Sequence, residues 1–454
     1  MNRYETAQDR PRLKTRRRVL KTLGVVSLLL PTARSYSLPD AGAIALSPQE
    51  TAKSPGRQPA VLVRDFNDPW LELLRLLKEA AEIEHSLMLQ YLYGAFSVKP
   101  AYRDIVGSFA PTGDTLMGIA VQEMQHLGTV NRLRIALGGA PVMSIQDFPY
   151  EPDIYPCSMN LEPLTRASLA KYVYAEAPAD AVRPAADADP ETRRFVDLLR
   201  RELGADHRGN HVGSVYNVVI EQLEQFARKH PKRLPKPDRW LTELHRVMTE
   251  GEEDHFLFFK SLFLGAHPSL AGDGNPWDLP RDAANYPSRP TPTDPSAYIG
   301  HPNQYHDPDA QALAWLGNLH YWSMLILLDL YYRHGEEDFK AAATQSMMAA
   351  ILPLGMHLPK LGAGLPFDQL SAGTAPGLNG ADNLAIARSL LAEAADITVG
   401  LQDRLPTDYR FGIEHELIAM LTHMQDRGIY PSRIGFAVSE ARHSGLPARR
   451  ADEA

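Results

Sequence analysis

Two Glu-x-x-His units, Glu123-Met124-Gln125-His126 and Glu252-Glu253-Asp254-His255, lie far apart in separate helical stretches. A Glu three residues ahead of a His stands one turn away on nearly the same helical face. Two such helices running antiparallel can therefore aim two carboxylates and two imidazoles at one point. That donor set suits a pair of metal ions, with acids from two further helices completing the shell. Mixed carboxylate and imidazole ligands favour iron or manganese over zinc or copper, so the expected cofactor is two Fe ions, with Mn as the alternative.

The helices that must carry these groups are legible from periodicity. Leu116, Ile119, Glu123, His126, Val130, Leu133 and Leu137 form one face that is apolar except at the two candidate ligands. Leu241, His245, Met248, Glu252, His255, Phe259 and Leu262 form another, with Glu243, Glu250, Glu253 and Lys260 largely off it. An unpaired carboxylate on such a face costs on the order of several kcal/mol of desolvation, and metal binding relieves both units at once. A third helix, Trp70 to Phe96, repeats Leu77, Ala81, Glu84, Met88, Tyr91 and Ala95, with Glu84 alone interrupting the stripe. Glu79 and Glu82 fall instead with Arg75 and Lys78, on what reads as the solvated face.

A fourth helix, His207 to Lys229, offers Glu221 and Glu224. Its stripe runs through Val212, Tyr216, Val219, Leu223 and Phe226, and Glu221 projects from the other side. The expected metal ligands are thus Glu84, Glu123, His126, Glu221, Glu252 and His255, with Glu224 as second choice to Glu221. Tyr91, seven residues past Glu84, is the one catalytic candidate, as a hydrogen-bond donor or a radical path. Packing in the core with its hydroxyl satisfied is the competing reading. His245, Gln90 and Gln122 are placed to orient ligands.

Ile83-Glu84-His85 followed by Tyr91-Leu92, and Gln122 to Leu127 running into Asn131-Arg132-Leu133 and Leu137-Gly138-Gly139-Ala140-Pro141, resemble the ferritin-like domain of the iminophenyl-pyruvate dimer synthase type. The likeness continues in Val212 to Tyr216, Gly251-Glu252 and Leu352 to Gly355, and spans most of residues 65 to 400. The family commonly carries an acid at the position of Ser214, a departure that leaves the fourth-helix ligand open. The resemblance implies a di-metal carboxylate bundle and, as one activity, the coupling of amino-acid-derived imines.

The 454 residues are 44% hydrophobic with a formal charge of -8, enough to bury more than one core and ill-suited to nucleic acid as a partner. The single cysteine, Cys157, rules out an intrachain disulfide. Near the N-terminus, Thr15-Arg16-Arg17-Arg18-Val19-Leu20-Lys21 precedes an apolar run from Leu23 to Pro31. That run is too short to span a bilayer and resembles a twin-arginine export signal, which implies the translocation machinery as a partner and a periplasmic or secreted location, or a membrane tether if uncleaved.

The fold class expected is all-α: a ferritin-like four-helix bundle followed by a second helical domain. Residues 1–45 read as signal and flexible lead-in, and 60–266 as the bundle with a Pro-rich insertion near 138–190 in which Leu164 to Glu176 forms one short helix. Residues 267–308 read as a Pro-rich linker or surface arm, 309–430 as the C-terminal helical domain and 431–454 as a flexible tail. The function expected is an exported di-iron oxidoreductase (di-manganese as the variant) using dioxygen or peroxide to oxidise a small organic substrate. The alternatives are an imine-coupling synthase and an iron-binding or peroxide-detoxifying protein. A homo-oligomer is compatible with all three.

Overall fold

Asp68 caps the first helix by accepting from the backbone amides of Trp70 and Leu71, and Pro69 at the first helical position needs no donor of its own. The computed structural model describes residues 66–145, 160–204, 212–234, 236–272, 274–369 and 380–426. The signal-like segment, the lead-in and the C-terminal tail lie outside the described residues, as does Cys157. The described residues are helical, with two isolated β-bridges, Val98 to Ser288 and Ser296 to Gln304.

The helices of eight residues or more are α1 (Pro69–Ser97), α2 (Leu116–Ala136), α3 (Arg166–Glu176), α4 (Pro190–Leu203), α5 (Val212–Lys229), α6 (Pro237–Thr249), α7 (Phe256–Phe263), α8 (Pro308–His334), α9 (Glu337–Ser346), α10 (Gly380–Gly400) and α11 (Ile413–Asp426). A π-helical turn, Glu250–His255, joins α6 to α7. The bundle is built on α1 packed along α2 and α5, with α3 against α7 and α5 against α6. The second helical array packs α10 and α9 on α8 and continues one hydrophobic core with the bundle.

Helix α1 is the axis of this arrangement. From Ala80 to Ser97 every one of its residues is buried, because α2 and α5 cover one side while α8 and Gly355 approach the other. A Cβ added to Gly355 would lie 2.3 Å from the Phe96 ring, so only glycine permits that approach.

This corrects the reading of Glu79 and Glu82 as solvated: both are buried, at 2% and 3% exposure. Glu82 accepts from Lys78 Nζ at 2.6 Å and from Ser144 Oγ at 2.7 Å. Glu82→Ala removes the acceptor for two partners in a dry setting and is expected to cost about 1–3 kcal/mol, read as a lowered denaturant midpoint at unchanged slope.

The Pro-rich stretch after α7 packs back on the bundle, with Trp277, Tyr286 and Ser288 buried. Backbone bonds from Lys99 N to Pro287 O and from Arg289 N to Ser97 O, both 2.8 Å, pin it to the end of α1. The Asp294 carboxylate accepts from Leu161 N at 2.7 Å and ties this stretch to the segment leading into α3.

Candidate metal centre

Thr115 caps α2 by accepting from Gly118 N at 3.2 Å, and two turns later the apolar face delivers Glu123 and His126 into the bundle. Glu84 arrives from the middle of α1, Glu176 from the last residue of α3, and His255 from the end of the π-helical turn. All five are buried. Their ligand atoms form two groups, Glu84 with Glu123 and His126, and Glu123 with Glu176 and His255. Glu123 belongs to both.

The two halves mirror each other. His126 Nδ1 lies 3.0 Å from Glu123 Oε2 and 3.5 Å from Glu84 Oε2. His255 Nδ1 lies 3.0 Å from Glu123 Oε1 and 3.7 Å from Glu176 Oε2. The other oxygen of each flanking acid is held from behind by a phenol: Tyr216 donates to Glu84 Oε1 and Tyr91 to Glu176 Oε1. The outward imidazole nitrogens are held too, His126 Nε2 by Glu250 at 2.7 Å and His255 Nε2 by Gln122 Oε1 at 3.1 Å. Arg246 in turn clamps Glu250 at 2.7 Å. Nε2–H donation to an outer acceptor leaves each Nδ1 directed at the acids, the orientation a metal-binding imidazole requires.

Electrostatics carry the same signature. Burial, reinforced by the charge on Glu123, pushes the Glu84 carboxyl up to about 8. Burial works against the charged forms of the other three as well, yet mutual attraction prevails. The imidazoles hold Glu123 well below the carboxylate range, and the acids lift His126 well above its ordinary value and His255 to about 9. Acids and imidazoles thus favour each other's charged forms, with three buried acids facing two imidazoles.

His255 Nδ1 and Glu123 Oε1, although 3.0 Å apart and buried, make no hydrogen bond to each other or to any described residue. With Nε2–H donated to Gln122, a neutral His255 turns its Nδ1 lone pair toward Glu123 Oε1, and a cation between these atoms would satisfy both. Three buried acids and two imidazoles suit two divalent ions in charge and chemistry.

Glu84, Glu123, His126 and His255 are brought together. Glu252 lines the same tight cavity of about 10 Å³ but joins neither three-residue group and is half-buried. The reason is the π-helical turn, whose wider winding departs from the α-helical spacing assumed for Glu252 and His255. Glu221 is exposed and stands outside the cluster, as its opposite-face position foretells, and Glu224 pairs with Arg228 at 3.4 Å on the surface. Their place is taken by Glu176, in a helix assigned to an insertion because of the prolines around it. Tyr172, Val173 and Leu169 on the same helix carried the signal that it belongs to a core.

Glu250, read as off the stripe, is the residue that holds His126; Arg246 one turn earlier marks it as a paired acid. Gln122 orients His255, whereas His245 is exposed and Gln90 is buried with its amide nitrogen unpartnered among the described residues. In the second array, His320 is a buried hydrogen-bonded core residue, 3.0 Å from both Ser346 Oγ and Tyr409 Oη.

This geometry can be set beside known proteins. Residues 77–257 match the model of the ferritin-like family. Every member of the cluster falls inside that span, and the described residues are helical, with a ferritin-like fold over it. A dichlorochromopyrrolate synthase from Lentzea aerocolonigenes is 31% identical over 223 residues, covering 43% of this chain and 20% of that protein, so the match spans about a fifth of the relative's length. A solved ferritin-like protein from Caulobacter vibrioides is similar with a TM-score of 0.43 and 17% identity, covering 67% of this chain and 99% of the other.

Proposed function

We propose that the ferritin-like domain holds two iron ions and that the chain is an oxidoreductase acting on a small organic substrate with dioxygen or peroxide as oxidant. The observation that carries this reading is the sharing of Glu123 between two ligand groups whose imidazoles both turn Nδ1 inward. A pair of redox-active ions bound there supplies two-electron chemistry with oxygen species.

The residues do the rest. Tyr216 and Tyr91 fix one oxygen of Glu84 and Glu176 and leave the other directed inward. Tyr172 and Phe259 pack on Tyr91 at ring distances of 4.8 Å and exclude water from that side. Glu250 and Gln122 hold the imidazoles against rotation. Manganese is the alternative occupant, since the donor set suits both ions.

Export through the twin-arginine machinery is part of the proposal, supported by the Arg16-Arg17-Arg18 segment and by the advantage of inserting metal before translocation. No described helix is long and apolar enough to cross a membrane. A second reading, imine coupling, draws on the resemblance to the iminophenyl-pyruvate dimer synthase type and is compatible with a synthase among the relatives.

Ferrous loading under anaerobic conditions tests the main reading. Two irons per chain, followed by dioxygen uptake that rises with an organic reductant, are the expected results. Mineral growth well beyond two irons, or oxygen release from peroxide without substrate, would move the assignment to storage or detoxification. Coupling of an aromatic imine would select the second reading.

A further inference from the structure

Between the bundle and the second array lies a chamber of about 420 Å³, inside the range of cavities that hold small organic molecules. It shares no lining residue with the metal cavity. Helices α1 and α2 form the partition, with Glu84 and Glu123 on one cavity and Met88 and Met124 on the other.

The chamber's wall is apolar and rich in methionine, with Met143, Met324 and Met347 adding to those two. Thioether chains reshape readily around a flexible apolar guest. His85 has both ring nitrogens engaged within the protein, its Nδ1–H donating to the Ser144 carbonyl at 3.3 Å and its Nε2 accepting from Tyr321 at 2.9 Å.

The charged residues of the lining are Arg132, Arg246 and Lys340, and no Asp or Glu accompanies them. They stand toward solvent: Arg132 is exposed, and the side chains of Arg246 and Lys340 are 39% and 55% accessible. Arg246 is occupied with Glu250, and Lys340 lies 3.8 Å from an exposed Glu337. Arg132 donates to Thr129 Oγ1 at 3.0 Å and forms no ion pair among the described residues. A dry, pliable interior with cations at its mouth matches a guest that has an apolar body and one anionic end.

We propose that this chamber binds an aliphatic monocarboxylate, with the chain among the methionines and the carboxylate at Arg132 and Lys340. The inference does not rest on the metal reading, and its test needs no turnover.

Calorimetric titration of the full chain with dodecanoate and with dodecanol provides that test. Dodecanoate is expected to bind one per chain and about tenfold more tightly than the alcohol, the scale of one charge-assisted contact. Arg132→Ala combined with Lys340→Ala should erase that preference while dodecanol binding persists. Met324→Trp, which fills the interior, should abolish both. Equal affinity for acid and alcohol in the unmodified chain, or a preference that survives the double substitution, overturns the proposal, as does unchanged binding by a folded Met324→Trp variant. Should Met324→Trp not fold, the double variant decides alone, because its positions lie at the surface.

Discussion

Glu123→Ala is expected to take the purified chain from two metal ions to none, with an apparent Kd for either ion weakened by more than about 100-fold. Each ligand group loses its common member, so neither pocket survives as a three-donor set. The loss reaches stability as well. Glu123 is the chief upward pull on both His126 and His255, and deleting one partner of a buried charge cluster costs about 3–5 kcal/mol. Elemental analysis together with chemical denaturation of the metal-free protein checks both parts. Two ions retained at full affinity would remove the basis for a shared centre.

Glu176→Ala and Glu221→Ala form the second decisive comparison. Glu176 serves only the His255 half, so its removal should leave one ion per chain, strip activity, and set Tyr91 free of its acceptor. Glu221, exposed on α5, should be replaceable with full metal content and a change in stability within about 0.5 kcal/mol. The opposite outcome would restore the assignment made from helix order alone. A drop in both variants would point to α3 and α5 acting together.

Much of this centre was legible in the residues. On α2, the sequence Leu116 to Leu137 shows one buried face, and all seven stripe positions are buried in the structure. Burial on that helix reaches beyond the stripe, to Met117, Leu127 and Asn131, but Gln125 and Arg132 keep one side exposed, and that contrast is what periodicity reads. Helix α1 defeats the same logic, because it is enclosed all round; Glu79 and Glu82 look solvent-facing only if one side must be. Glu176 was hidden by the prolines around its helix, which interrupt the chain without removing that helix from the core. Glu252 and Glu250 exchanged apparent roles because periodicity presumes α-winding, and the turn that carries them is wider. The second array's long helices, Pro308–His334, Glu337–Ser346, Gly380–Gly400 and Ile413–Asp426, lie in the stretch read as helical from its periodicity.

The mirror symmetry of the cluster breaks at one place, where Glu250 backs His126 and a neutral amide, Gln122, backs His255. A carboxylate behind an imidazole makes it the stronger base and electron donor, so the two sockets differ in appetite. If two ions bind as proposed, the His126 side would be expected to fill first when metal is scarce, giving a singly loaded species. Any kinetic record that averages over both forms will blur two distinct proteins into one.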